Sequence, residues 1–144
     1  MPHGKAQDSG LFLRMEEQMN ELVINGEVYR FHFGFGFIRK IGGAVKVPVT
    51  GIPGVTKDAG LYLAIANVYD GDILELVHVL DVANEGQTPR IKRAELEAWL
   101  EDESTDVEEV FKQVLDFFER ANCCRKTMEN VKEVARMQEK SRQT

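Results

Sequence analysis

The side chains that do most protein chemistry are few in this chain and badly spaced for it. Three histidines, His3, His32 and His78, are the candidates for acid–base work, since imidazole changes charge near neutral pH. None stands at the spacing of a nucleophile–base motif. His78 sits between Val77 and Val79 and reads as a partly buried helix residue. Cys123 and Cys124 are adjacent. Neighbouring cysteines are poorly placed to bridge each other, and two thiols are no disulfide framework. They suit a reducing cytoplasm. Without C-x-x-C or H-x-x-x-H spacing they cannot supply the three or four converging ligands that a metal needs. No metal, cofactor or enzymatic activity is expected.

Two acidic clusters, Glu101-Asp102-Glu103 and Asp106, Glu108, Glu109, have ordinary explanations. The first is a charged helix end, and the second fills a helix's first turn, where the macrodipole favours anions. The run Gly34-Phe35-Gly36-Phe37-Ile38 is similar to the core of an RNA-binding RNP1 strand. Phe33 stands where that motif wants a basic residue, and Lys40 where it wants an aromatic. Only a hairpin's worth of chain precedes it, and the protein is acidic where a stacking platform needs cations. The G-x-G dinucleotide fingerprint fails because Arg39 occupies the third glycine position.

The 144 residues carry a net charge of −6, with 43% hydrophobic and 29% charged residues. That balance is a globular domain's. The negative sign argues against nucleic-acid and anionic-membrane partners, which are held by clustered Lys and Arg. No apolar run approaches the roughly 18 residues of a membrane span. Leu11-Phe12-Leu13 is too short for a secretory signal.

The fold class expected is α+β, an N-terminal β-hairpin packed on a mainly helical bundle. Residues 1–18 read as a flexible leader, with Met15 and Met19 as alternative starts, 19–122 as the domain and 123–144 as a C-terminal helix or tail. Leu22-Val23-Ile24, Asn25-Gly26 and Val28–His32 give a strong hairpin signal, since both central residues of a type I′ turn need φ > 0. Tyr29, Phe31 and Phe33 share the face that should meet the core. A short helix follows from Phe35 to Ile41, closed by Gly42-Gly43, then a loop with turns over 42–57. Asp58 is the expected cap of an uncharged, buried helix running to Tyr69. Asp72 caps the next, with Ile73, Leu76, Val77 and Leu80 at helical spacing. Thr88-Pro89 leads to a helix over Arg93–Leu100. Thr105 and Glu108 spell a capping box ahead of the stripe Val107, Val110, Phe111, Val114, Leu115, Phe117, Phe118, Ala121. The last helix, from about Thr127 to Ser141, is weakly apolar. With Arg125, Lys126, Lys132, Arg136, Lys140 and Arg142 nearby, it is the basic part of an acidic protein.

The run Met19-Asn20-Glu21-Leu22-Val23-Ile24-Asn25-Gly26-Glu27-Val28-Tyr29-Arg30-Phe31-His32-Phe33-Gly34-Phe35 resembles the opening of tail assembly chaperones from long-tailed phages of Gram-positive bacteria. The hairpin of the L-x-I-N-G-x-x-Y kind, the aromatic passage after it, the middle helices, the Thr88-Pro89 connector and the helix through Phe118 come in the family's order over residues 19–130. The resemblance implies a non-enzymatic protein that binds the tape measure protein, keeps it soluble and helps recruit tail-tube subunits, in some members through a longer frameshifted product. It implies action in the host cytoplasm, self-association and absence from the mature virion. A tape measure protein is largely helical, so covering its apolar stripes calls for helix-in-groove contacts. The tail offers Met128, Val131, Lys132, Val134, Ala135 and Arg136 for such contact, being too thin a stripe to hold itself helical alone. The rival reading is a small phage-encoded regulatory module acting on a host protein.

Overall fold

The structure, a computed structural model, describes residues 20–42, 46–48, 50–54 and 56–143. The expected leader and His3 lie outside them. Strands β1 (Glu21–Ile24) and β2 (Glu27–Arg30) form the antiparallel hairpin. It turns on Asn25 at φ 52° and Gly26 at φ 82°, the left-handed pair that a type I′ turn demands. Leu22 pairs with Tyr29 and Val23 with Val28. This register sends Leu22, Ile24 and Tyr29 inward and leaves Val23 and Val28 outside. Phe31 and Phe33 continue the buried face, as the alternation predicts. Helix α1 (Phe35–Gly42) follows.

A second hairpin replaces the loop expected over 42–57. β3 (Lys46–Pro48) pairs antiparallel with β4 (Thr56–Asp58). Val47 and Thr56 are β-branched, and Pro48 is tolerable because a two-stranded ribbon has only edge strands. Gly51 and Gly54 turn the connection at φ 84° and 79°. Asp58 is thus paired with Lys46 and does not cap the next helix, which begins after Ala59 with no side-chain cap bond.

That helix, α2 (Gly60–Tyr69), packs against α1, α3 (Ile73–Asn84), α5 (Val107–Arg120) and α6 (Arg125–Gln143). A helix with neighbours on so many sides has no face to spend on charge, and none lies between Asp58 and Asp70. At Gly60 an added Cβ would stand 2.1 Å from the carbonyl oxygen of Ile41. Only glycine lets α1 and α2 approach so closely. Asp72 caps α3 as expected, accepting from the Leu74 and Glu75 amides at 3.0 and 3.2 Å. Helix α4 (Arg93–Glu101) buries Leu96 and Leu100.

The capping box at Thr105 does not form. The Thr105 hydroxyl donates to the Trp99 carbonyl at 2.6 Å, and Asp106 accepts from the Glu109 amide at 3.1 Å. Asp is at least as good an N-cap as Thr, and the tie to Trp99 fixes the turn between α4 and α5. Beyond that cap, Val110, Val114, Phe117 and Phe118 are buried. Phe33 meets this face: its ring centroid lies 5.3 Å from Phe118 and 5.0 Å from Phe37, both near edge-to-face, the arrangement aromatic quadrupoles favour. The hairpin is therefore tied into the helical bundle, and the fold is α+β and mainly helical. Among the described residues no helix is long and apolar enough to cross a membrane.

The buried polar residue at the join is Asn84, fully enclosed at the end of α3. Its amide nitrogen donates to the carbonyls of Arg30 and Pro89 at 2.9 and 3.3 Å. Its oxygen accepts from the Ile91 amide at 2.7 Å and from Arg90 at 3.1 Å. One side chain thus fastens the hairpin, α3 and the connector to α4. Asn84→Ala leaves the buried Ile91 amide and the partly buried Arg30 and Pro89 carbonyls without these partners, and a buried orphan costs about 1–3 kcal/mol. We expect a loss of roughly 2–4 kcal/mol by chemical denaturation. Less than about 0.5 kcal/mol, the range of a neutral surface change, would show that water takes over these bonds.

Candidate protein-binding surface

Among the described residues the groups that could carry chemistry are dispersed. His78 is half-buried on α3, its Nδ1 3.2 Å from an Arg93 guanidinium nitrogen. Arg93 and Arg90 both pair with Asp81, at 3.2 and 3.0 Å. His32 is exposed just beyond β2. Asp102 takes the amide and hydroxyl of Ser104 at 2.8 and 2.7 Å, which lowers its carboxyl pKa and closes a turn. Among the described residues no group of His, Cys, Asp and Glu could hold a metal ion.

The two cysteines occupy opposite environments. Cys124 is fully buried and Cys123 half-exposed. Burial, with a lesser push from Cys123, drives the Cys124 thiol up to about 12 from its ordinary 9.0. The thiolate is the reactive form, so an alkylating agent at mildly alkaline pH should label Cys123 alone until the protein is unfolded. Peptide mass spectrometry reads this out, and equal labelling of both thiols in the native protein would contradict the packing. The unfolded chain gives up the Cys124 proton near pH 9 and the folded chain near pH 12. Between those values the folded state holds more protons, so ionisation of this thiol erodes stability as pH rises through the window.

Helix α6 divides along its length. Cys124, Met128 and Val131 face inward and are buried. Two of the six residues expected to meet a partner, Met128 and Val131, therefore belong to the domain's own core. The other four stay accessible in differing degree. Lys132 is exposed and pairs with Glu119 of α5. Arg136 is exposed and pairs with Glu133. Val134 is 39% exposed, and Ala135 is half-buried. Met137, which the sequence reading passed over as a contact, is 60% exposed. From Arg136 to Arg142 every residue is exposed: α6 starts in the core and ends as an overhang.

Beside the root of α6 runs a surface groove that sequence reasoning missed. One part, about 420 Å³, lies between α5 and α6 and reaches Tyr69 of α2. A second, about 640 Å³, continues past Tyr69 to the α2–α3 turn and the start of α5. Both share Tyr69, Glu109, Lys112 and Leu115. The floor is apolar and incompletely covered: Phe111 and Leu115 are partly buried, and Tyr69 is 39% exposed. The available signal was the breadth of the α5 stripe. Eight apolar positions are more than one seam uses, and Phe111 and Leu115 are the surplus.

An apolar groove beside a projecting basic helix is a surface suited to contact with other proteins. The family model for the phage tail assembly chaperone protein, TAC, matches residues 21–133, and the chain belongs to that family. No curated protein and no solved structure matches it.

Proposed function

We propose that this chaperone binds the tape measure protein of its phage, keeps it soluble until the tail tube is built, and helps bring tube subunits to it, by binding alone. The family match over residues 21–133 carries the reading. The tape measure protein is a long helical partner, which many copies must cover, so the chaperone self-associates. The exposed end of α6, with Lys132, Val134, Ala135 and Arg136, takes part in these protein contacts. A longer frameshifted form would carry the tube-subunit contact. The work is done in the host cytoplasm, and the chaperone leaves before the virion is complete.

Co-expression with the tape measure protein of the same phage tests this. The expected result is a soluble complex that survives affinity purification, against an aggregated tape measure protein when it is expressed alone. Equal solubility with and without the chaperone, and no complex, would overturn the reading.

A further inference from the structure

We infer that the groove beside α6 is the receptor for the α6 overhang of a second copy of this chain. The inference rests on the self-association in the reading above and says where that contact lies.

The two surfaces are complementary in charge and in shape. The groove walls bring together six carboxylates, Asp70, Asp106, Glu108, Glu109, Asp116 and Glu119, against two ammonium groups, Lys112 and Lys132. Asp116 and Glu119 pair with Arg120 and Lys132. Glu108 and Glu109 have no cation partner among the described residues, so the end of the groove towards the start of α5 stays strongly negative. Leaving out Lys132, which lines the groove, the overhang from Arg136 to Arg142 holds Arg136, Lys140 and Arg142 against Glu139. It is thus a positive helix on an acidic protein. Val134 and Met137, three residues apart, share one side of that helix, and both are exposed. A short apolar stripe flanked by cations is what an apolar floor with an acidic rim accepts.

The chain cannot satisfy itself. Met128 and Lys132 of α6 already line the groove, and the helix continues unbroken to Gln143. Its later residues leave the groove with no turn to bring them back. The contact is therefore heterologous, the end of one copy on the side of another. Part of its strength is electrostatic, so it weakens with added salt.

Charge exchange in the full-length protein tests this. Glu109→Lys with Gln113→Lys makes the part of the groove between α5 and α6 basic, with four cations against Asp116 and Glu119, and removes no ion pair named above. Arg136→Glu with Lys140→Glu makes the overhang acidic. Wild type should show concentration-dependent assembly by sedimentation velocity, weaker at high salt. Either double variant alone should self-associate at least about tenfold more weakly, the size of one misplaced charge contact. Mixing the two should restore assembly, because each then offers the surface that the other needs, and so should all four changes in one chain. Melting curves on each variant separate loss of contact from loss of fold. Should a variant unfold, Met137→Gln gives the same test on the apolar stripe, expected to weaken assembly without a charge change. A strictly monomeric wild type overturns both this contact and the self-association behind it. A wild-type assembly that neither pair of substitutions weakens, or that mixing fails to restore, overturns this contact and leaves the chaperone reading standing.

Discussion

Phe118→Ala should cost about 3–5 kcal/mol, the range for removing a fully enclosed phenylalanine. A domain of this size is stable by only about 5–15 kcal/mol in total. The substitution should therefore bring the protein close to unfolding at growth temperature. Phe118 has no exposed surface, and its ring is one wall of the Phe33 cluster, with centroids 5.3 Å apart. Loss of that wall reaches both the hairpin and α5, since Phe33 also contacts Phe37 at 5.0 Å and Phe117 at 5.9 Å. Phe118→Leu, which keeps most of the volume, should cost markedly less. Phe35→Ala supplies the contrast. Phe35 is 70% exposed, and its replacement should stay within about 0.5 kcal/mol. Chemical denaturation of the three variants gives the comparison. Equal losses at Phe118 and Phe35 would mean that the aromatic run is not sorted into core and surface as described.

The contrast between Phe118 and Phe35 also separates what a sequence displays from what it conceals. Tyr29, Phe31 and Phe33 alternate along a strand, and Asn25-Gly26 permits one kind of turn, so the hairpin and its inward face follow from local rules. The α5 stripe and the uncharged run of α2 are legible for the same reason: a periodic pattern reports which face is buried. Caps are harder to read, because Thr105 and Asp106 both qualify and a bond from Thr105 to the distant Trp99 carbonyl decides between them. The second hairpin stayed hidden because Gly51, Pro53 and Gly54 read as loop, and three-residue strands leave almost no pattern.

The site was less legible than the fold. A groove is made by the gap between elements, and nothing local to Tyr69, Phe111 or Leu115 says that three helices leave them half-covered. The basic end of α6 was visible as composition. The division of α6 into buried and projecting parts was not, because Met128 and Val131 look no different from Val134 and Met137 until α2 and α5 are in place.

That division gives the second large effect, a pair of truncations with opposite outcomes. Ending the chain after Asn122 removes Cys124, Met128 and Val131, which are at most 3% exposed, and uncovers the faces of α2 and α5 on which α6 rests. Burying a side chain such as Met or Val contributes about 1.5–3 kcal/mol. With the cavity left behind, three together amount to roughly 5–8 kcal/mol. That equals the whole stability of many domains, so this shorter protein should show no cooperative melting. Ending the chain after Ala135 keeps all three and removes the exposed run 136–142, with Arg136, Met137, Lys140 and Arg142 in it. Its melting temperature should stay within a few degrees of the full chain, because surface residues outside special contacts contribute little. Its binding should not survive so well. Without the overhang the copies are no longer linked, and a long partner loses the gain in effective concentration that linked sites provide. Circular dichroism melting and co-purification with the tape measure protein read the two properties separately. A protein ending at Asn122 that melts like the full chain would remove α6 from the core. A protein ending at Ala135 that stays folded and binds as tightly as the full chain would remove the overhang from the contact.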